Sequence, residues 1–160
     1  FKTLERNIQF RDLSFQYANS DKGLQKINLN IPQGSMLAIV GATGSGKSTL
    51  IRLLARFYEH QEGQLLIDGV PISEYDLESF RSKLAVVTQD AFIFSDTFKA
   101  NICYGLENIS EVALSEAVEK ACLSDLVASL PKGLDSKIGK DGIELSGGEA
   151  QRLSIARAIL

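Results

Sequence analysis

Residues 35–58 constrain this chain more than any other stretch. Met36-Leu37-Ala38-Ile39-Val40 is continuously apolar, which is the pattern of a strand buried on both faces. Gly41-Ala42-Thr43-Gly44-Ser45-Gly46-Lys47-Ser48 follows and fits GxxxxGK[ST]. From Lys47 to Tyr58, the apolar residues Leu50, Ile51, Leu53, Leu54 and Phe57 recur at helical spacing. Strand, glycine-rich turn and helix in that order form an anion cradle. Glycines stand where a side chain would block the approach of backbone N–H groups to a phosphate chain. Lys47 then brings a cation to the β- and γ-phosphates, and Ser48 a hydroxyl to Mg²⁺. The helix aims its unpaired N–H groups and positive dipole end at the same anion.

The flanking sequence sets the class. Ile8, Phe10, Leu13, Phe15 and Tyr17 alternate with polar residues, the turn-like Ala18–Gly23 intervenes, and Ile27, Leu29 and Ile31 alternate again. This predicts antiparallel strands with one buried face. Glu62–Gly69 reads as a short strand between turns and Leu84–Thr88 as a second buried strand. From Phe92 to Leu130 the character turns helical, with Leu114, Ala117, Val118, Ala121 and Cys122 on one helical face. A helix begins near Ser124 and stops at Pro131, and a last helix runs from Gly147 to the end.

Composition excludes several functions. The 160 residues are 44% hydrophobic and 23% charged, which suits a globular domain. The net charge of −3 lacks the basic footprint of a nucleic-acid binder. Cys103 and Cys122 match no zinc spacing and form no disulfide framework, so they read as reduced thiols. No apolar run approaches the roughly 20 residues of a membrane span. Phe1 in place of an initiator Met points to a chain cut from something longer, in which a membrane segment could lie.

Leu145-Ser146-Gly147-Gly148-Glu149-Ala150-Gln151-Arg152 follows the phosphate loop further along the chain. Ser146 is a good helix N-cap, and two glycines let a backbone come close to an anion. A phosphate loop followed by LSGG and a Gln/Arg-containing helix resembles the ABC ATPase cassettes of exporters over essentially the whole chain. The usual signature is LSGGQ, so Glu149 departs at its fifth position.

The resemblance implies ATP and Mg²⁺ as ligands. Gly41, Ala42, Thr43, Gly44, Ser45, Gly46, Lys47, Ser48 and Thr49 would hold the phosphates, with Lys47 as the main cation. Read from the residues alone Tyr17 is a core tyrosine on a strand; with the resemblance it matches the aromatic that stacks on adenine. Stacking needs only a flat face, so its hydroxyl is expected to be dispensable. Gln89 resembles the Q-loop glutamine, a Mg²⁺ ligand with Ser48 and a link to the helical insert; otherwise it is a solvated loop residue. Ser146, Gly147, Gly148 and Glu149 would face the ATP of a second cassette packed head to tail. Phe92–Phe98 with Asn101-Ile102 resembles the exporter region that meets the transmembrane domains.

The expected fold is therefore α/β: a P-loop NTPase core with an antiparallel β flank and a helical insert carrying the signature, truncated before the Walker B strand. The expected division is flank plus core at 1–90, a helical subdomain at about 91–150 and the start of a return to the core at 151–160. In the family the next strand ends in an Asp that helps hold Mg²⁺ and a Glu that polarises the attacking water. Residues 1–160 are thus expected to bind nucleotide better than they hydrolyse it. The expected parent is an exporter at the cytoplasmic face of a membrane, with no nucleic-acid partner. The alternatives are a soluble ABC ATPase acting on DNA or ribosomes, and a binding module without turnover.

Overall fold

The computed structural model describes residues 1–20 and 22–160; Asp21, part of the expected turn, lies outside the described residues. The chain divides into two units, Phe1–Leu84 and Ala85–Leu160.

In the first unit, β1 (Asn7–Gln16) pairs antiparallel with β2 (Gly23–Pro32) on one side and β3 (Glu62–Ile67) on the other. A two-residue β4 (Val70–Pro71) completes a sheet of order β2-β1-β3-β4. The period-two alternation of β1 breaks between Phe10 and Leu13, both of which are buried. The register with both neighbours shifts there, and Asp12 takes a φ of 45°. This bulge restores the buried face for Leu13 and Phe15. Gly63 sits opposite it, where a Cβ would come within 2.4 Å of the Asp12 carbonyl oxygen.

Helix α1 (Lys47–Leu54) lies over this sheet, with Leu50 and Leu53 in a core that includes Phe10, Phe15, Leu24 and Leu65. Eight residues do not hold a helix in water by themselves. Burial of two leucines, about 1.5–3 kcal/mol each, fixes it in place. The helix ends earlier than its apolar spacing predicts. Arg56 turns to φ 53°, and Arg81 donates to the Ala55 and Arg56 carbonyls at 3.4 and 2.8 Å. A short α2 (Leu77–Arg81), capped by Asp76, buries Phe80 in the same core.

Two expected strands do not form. Residues 35–40 and 84–88 are without regular structure, with Met36 fully exposed and Val40 88% exposed. A strand buried on both faces needs partners along its edges to satisfy its N–H and C=O groups. Among the described residues none pairs with either segment, and the antiparallel sheet forms without them.

The second unit is helical. It comprises α3 (Phe98–Ile102), α4 (Glu111–Lys120), α5 (Ser124–Ser129) and α6 (Gly147–Ile159), with the small pair β5 (Asp96–Thr97) and β6 (Lys137–Ile138). Its core gathers Phe98, Ile102, Leu114, Leu123, Ile138 and Leu153. Thr97 and Ser110 cap α3 and α4 through side-chain oxygens. Among the described residues no helix is long and apolar enough to cross a membrane.

Candidate functional site

The phosphate loop enters α1 through Gly46, which takes φ 92°, and Gly44 stands at φ 86°. Both are left-handed positions that side chains resist. A Cβ on Gly46 would also meet the Leu24 side chain at 2.4 Å, whereas a Cβ on Gly44 would meet nothing within 4 Å. Backbone conformation thus requires glycine at both, and packing adds a second reason at Gly46. No side chain caps α1, so the N–H groups of its first turn have no side-chain acceptor. Lys47 folds back over the loop, its Nζ donating to the carbonyls of Gly41 and Ala42 at 2.8 and 2.9 Å. The Ser48 side chain is exposed beside it. The result is a cationic recess of about 200 Å³, lined by Tyr17, Lys22, Gly44, Lys47, Thr49 and Arg52 among others.

Tyr17 reaches this recess from the end of β1. Its ring meets Phe15 and Tyr58 edge-on, with centroids 4.8 and 5.2 Å apart, so one side of it belongs to the core. Its hydroxyl lies 3.1 Å from Oγ1 of the buried Thr49, and Arg52 Nη1 donates to it at 3.4 Å. The hydrogen bond to Thr49 lowers the phenol pKa, with a smaller contribution in the same sense from Arg52. The hydroxyl expected to be dispensable is therefore engaged. The signal available in the sequence is spacing: Thr49 and Arg52 stand three apart on one helical face.

The other expected site residues belong to the second unit. Gln89 is exposed on the segment before α3. The chain after it is held by two residues to which sequence reasoning assigned no such role. The buried Asn101 amide accepts from Phe94 N–H at 2.9 Å and donates to the Phe94 and Thr97 carbonyls. Arg157, from α6, donates to the carbonyls of Asn101 and Phe92, each at 2.6 Å, and stacks over the Phe94 ring. Burial lowers the Arg157 pKa.

At the start of α6, Ser146 is the N-cap and Glu149 closes a capping box. The carboxylate accepts from Ser146 N–H at 2.7 Å and from Ser146 Oγ at 2.6 Å. These hydrogen bonds hold Glu149 below the usual carboxylate pKa. The S-x-x-E pattern was present in the sequence as the signal for this box. Gly147 and Gly148 are exposed; a Cβ on Gly147 would meet nothing within 4 Å, and one on Gly148 only the Arg152 side chain at 3.7 Å. Glycine costs about 1 kcal/mol in a helix relative to alanine, and this chain's own packing does not require it at either position.

Residues 24–160 match the ABC transporter family model. The chain belongs to the ABC transporter family. It is 46% identical over 153 residues to an ATP-dependent lipid A-core flippase of Burkholderia orbicola (strain AU 1054), covering 95% of this chain and 26% of that protein. It is 48% identical over 157 residues to the ABC transporter ATP-binding protein YwjA of Bacillus subtilis (strain 168), covering 98% and 27%. A solved bacterial Atm1-family ABC exporter with ATP bound superposes with a TM-score of 0.90 at 40% identity, over 98% of this chain and 28% of that one. The family chain described here thus spans about a quarter of the length of these relatives. Its fold is the mixed α/β cassette fold of an exporter's nucleotide-binding domain, in part, with an antiparallel sheet.

Proposed function

We propose that this chain is the part of an ABC exporter's cassette that binds Mg·ATP at Gly41–Thr49. The observation that carries the reading is the recess itself. It joins an uncapped helix N-terminus, two glycines in left-handed conformation and the Lys47 ammonium in one unit. Helix N–H groups without a side-chain cap, beside an ammonium held only by loop carbonyls, fit a polyphosphate. Lys47 exchanges its loop carbonyls for the β- and γ-phosphates, and Tyr17 offers its ring to the base. Within this unit Ser48 is the residue that would hold Mg²⁺, which would neutralise the charge developing on the transferred phosphoryl group. The exposed side chain of Ser48 at the recess suits that role.

Ser146, Gly147, Gly148 and Glu149 serve the nucleotide of a second cassette. Glycines at Gly147 and Gly148 without an internal packing reason support the close approach of another molecule. In that dimer the ATP is hydrolysed, and transmembrane domains contacted through the Gln89 region and the helical unit convert the cycle into transport at the cytoplasmic face of a membrane. The DNA- or ribosome-directed alternative has the weaker support, because the relatives include a flippase and an exporter and the net charge is −3.

The test is calorimetric titration of Mg·ATP into the full-length protein and its Lys47→Ala variant. Loss of one charge-assisted contact, about 1.5–3 kcal/mol, lowers affinity ten- to a hundredfold. Unchanged affinity would sink the assignment. Residues 1–160 alone should release phosphate no faster than their Lys47→Ala form, since none of their carboxylates matches the water-polarising Glu of the family. Robust Lys47-dependent turnover would mean that an acid between Asp90 and Glu149 supplies the base.

A further inference from the structure

We propose that Arg52 is a second cation of the nucleotide site, held by the Tyr17 hydroxyl and directed at the α-phosphate. The proposal rests on the ATP reading above and deepens it.

Three observations carry it. Arg52 lines the same recess as Lys47, Ser48 and Thr49. It is exposed, and its guanidinium donates to the Tyr17 hydroxyl, which is itself bonded to Thr49. Among the described residues no carboxylate pairs with Arg52 or Lys47, although the chain as a whole is acidic.

Position along the helix selects the phosphate. Arg52 shares a face with Ser48 and Thr49 and lies about 7.5 Å further along α1 than Lys47. Lys47 marks the β/γ end of a bound nucleotide and Tyr17 the base end. The anion between them is the α-phosphate, which ATP and ADP share. A guanidinium presents a planar fork of donors to phosphate oxygens, and anchoring through Tyr17 reduces the freedom it must lose on binding. Tyr17 therefore has two roles, a ring for the base and a hydroxyl that positions Arg52.

The test uses the full-length protein and equilibrium titration with ATP, ADP and GTP. Arg52→Gln should weaken ATP and ADP alike, by about three- to tenfold, with the ATP-to-ADP ratio unchanged. Arg52→Lys should recover part of the loss, which a merely structural effect of removing Arg52 would not. Tyr17→Phe should weaken both nucleotides in the wild-type background and add little once Arg52 is Gln, since residues acting as a unit are non-additive. Affinities within about twofold of wild type for Arg52→Gln would overturn the proposal. A changed ATP-to-ADP ratio would move the contact to the terminal phosphates, and a loss for ATP but not GTP would move it to the base; either outcome overturns the α-phosphate assignment. Lys47→Ala separates the two levels. If it weakens ATP and Arg52→Gln does not, only the Arg52 assignment fails. If neither matters, the nucleotide site fails with it.

Discussion

Helices α1 and α6 both start at glycine-rich sequences that read as anion sites, yet their N-termini are built in opposite ways. At α1 no side chain caps the helix, glycine holds a left-handed φ, and the nearby charges are Lys22, Lys47 and Arg52. At α6 the Ser146 hydroxyl and the Glu149 carboxylate satisfy each other and the backbone. One end is short of acceptors; the other carries its own anion. A helix dipole alone therefore does not make a phosphate site, because a capping box supplies the negative charge that a ligand would otherwise bring. In the proposed dimer the Ser146 hydroxyl and N–H must leave Glu149 before they can serve a partner's nucleotide.

Lys47→Ala breaks the α1 side of this contrast most severely, with the ten- to hundredfold affinity loss given above. Gly46→Ala comes next. Forcing alanine to φ 92° against Leu24 should cost about 1–2 kcal/mol. Denaturant unfolding should report that loss together with weaker nucleotide binding, and an unchanged midpoint would show that the loop relaxes freely.

At α6, Ser146→Ala should cost about 1 kcal/mol of local stability through the lost cap. Hydrogen exchange of the Glu149 amide in the full-length protein reads this directly, and an unaltered exchange rate would deny the capping box a role. The smallest effect belongs to Glu149→Gln, which keeps a hydrogen-bonding side chain but removes the charge, a change of a few tenths of a kcal/mol. Because the folded-state pKa of Glu149 is depressed, its stabilisation is present above the unfolded value and is lost as pH falls through the folded one. Protection of the first α6 turn should decline in acid below the ordinary glutamate value of 4.5 in the wild type and stay flat in the variant. If Glu149 restrains the signature, the same variant strengthens ATP-dependent association, measured by light scattering; weaker association would indicate that the carboxylate itself contacts the partner.

Much of this was legible in residue order. The phosphate loop carries its conformation in Gly44 and Gly46, since left-handed backbone selects glycine locally. The hairpin of β1 and β2, the buried face of α4 from Leu114 to Ala121 and the N-cap at Ser146 were likewise written in short-range pattern, whereas Cys122, expected on that face, lies past the helix end at φ 56° and is exposed. Even the bulge in β1 shows as the three-residue step from Phe10 to Leu13.

Other features depended on partners distant in sequence. Met36–Val40 and Leu84–Thr88 have strand composition, but apolarity does not supply edge hydrogen bonds, and no described strand pairs with them. Helix α1 stops at Leu54 rather than Tyr58 because Arg81, from another helix, takes the carbonyls of Ala55 and Arg56. The Tyr17 hydroxyl meets Thr49 and Arg52 only because α1 packs on the sheet through Leu50 and Leu53. Local backbone chemistry thus determined where an anion could be held. Tertiary packing decided which side chains from β1 and from the second turn of α1 stand beside it, because such contacts join residues that the order of the chain keeps apart.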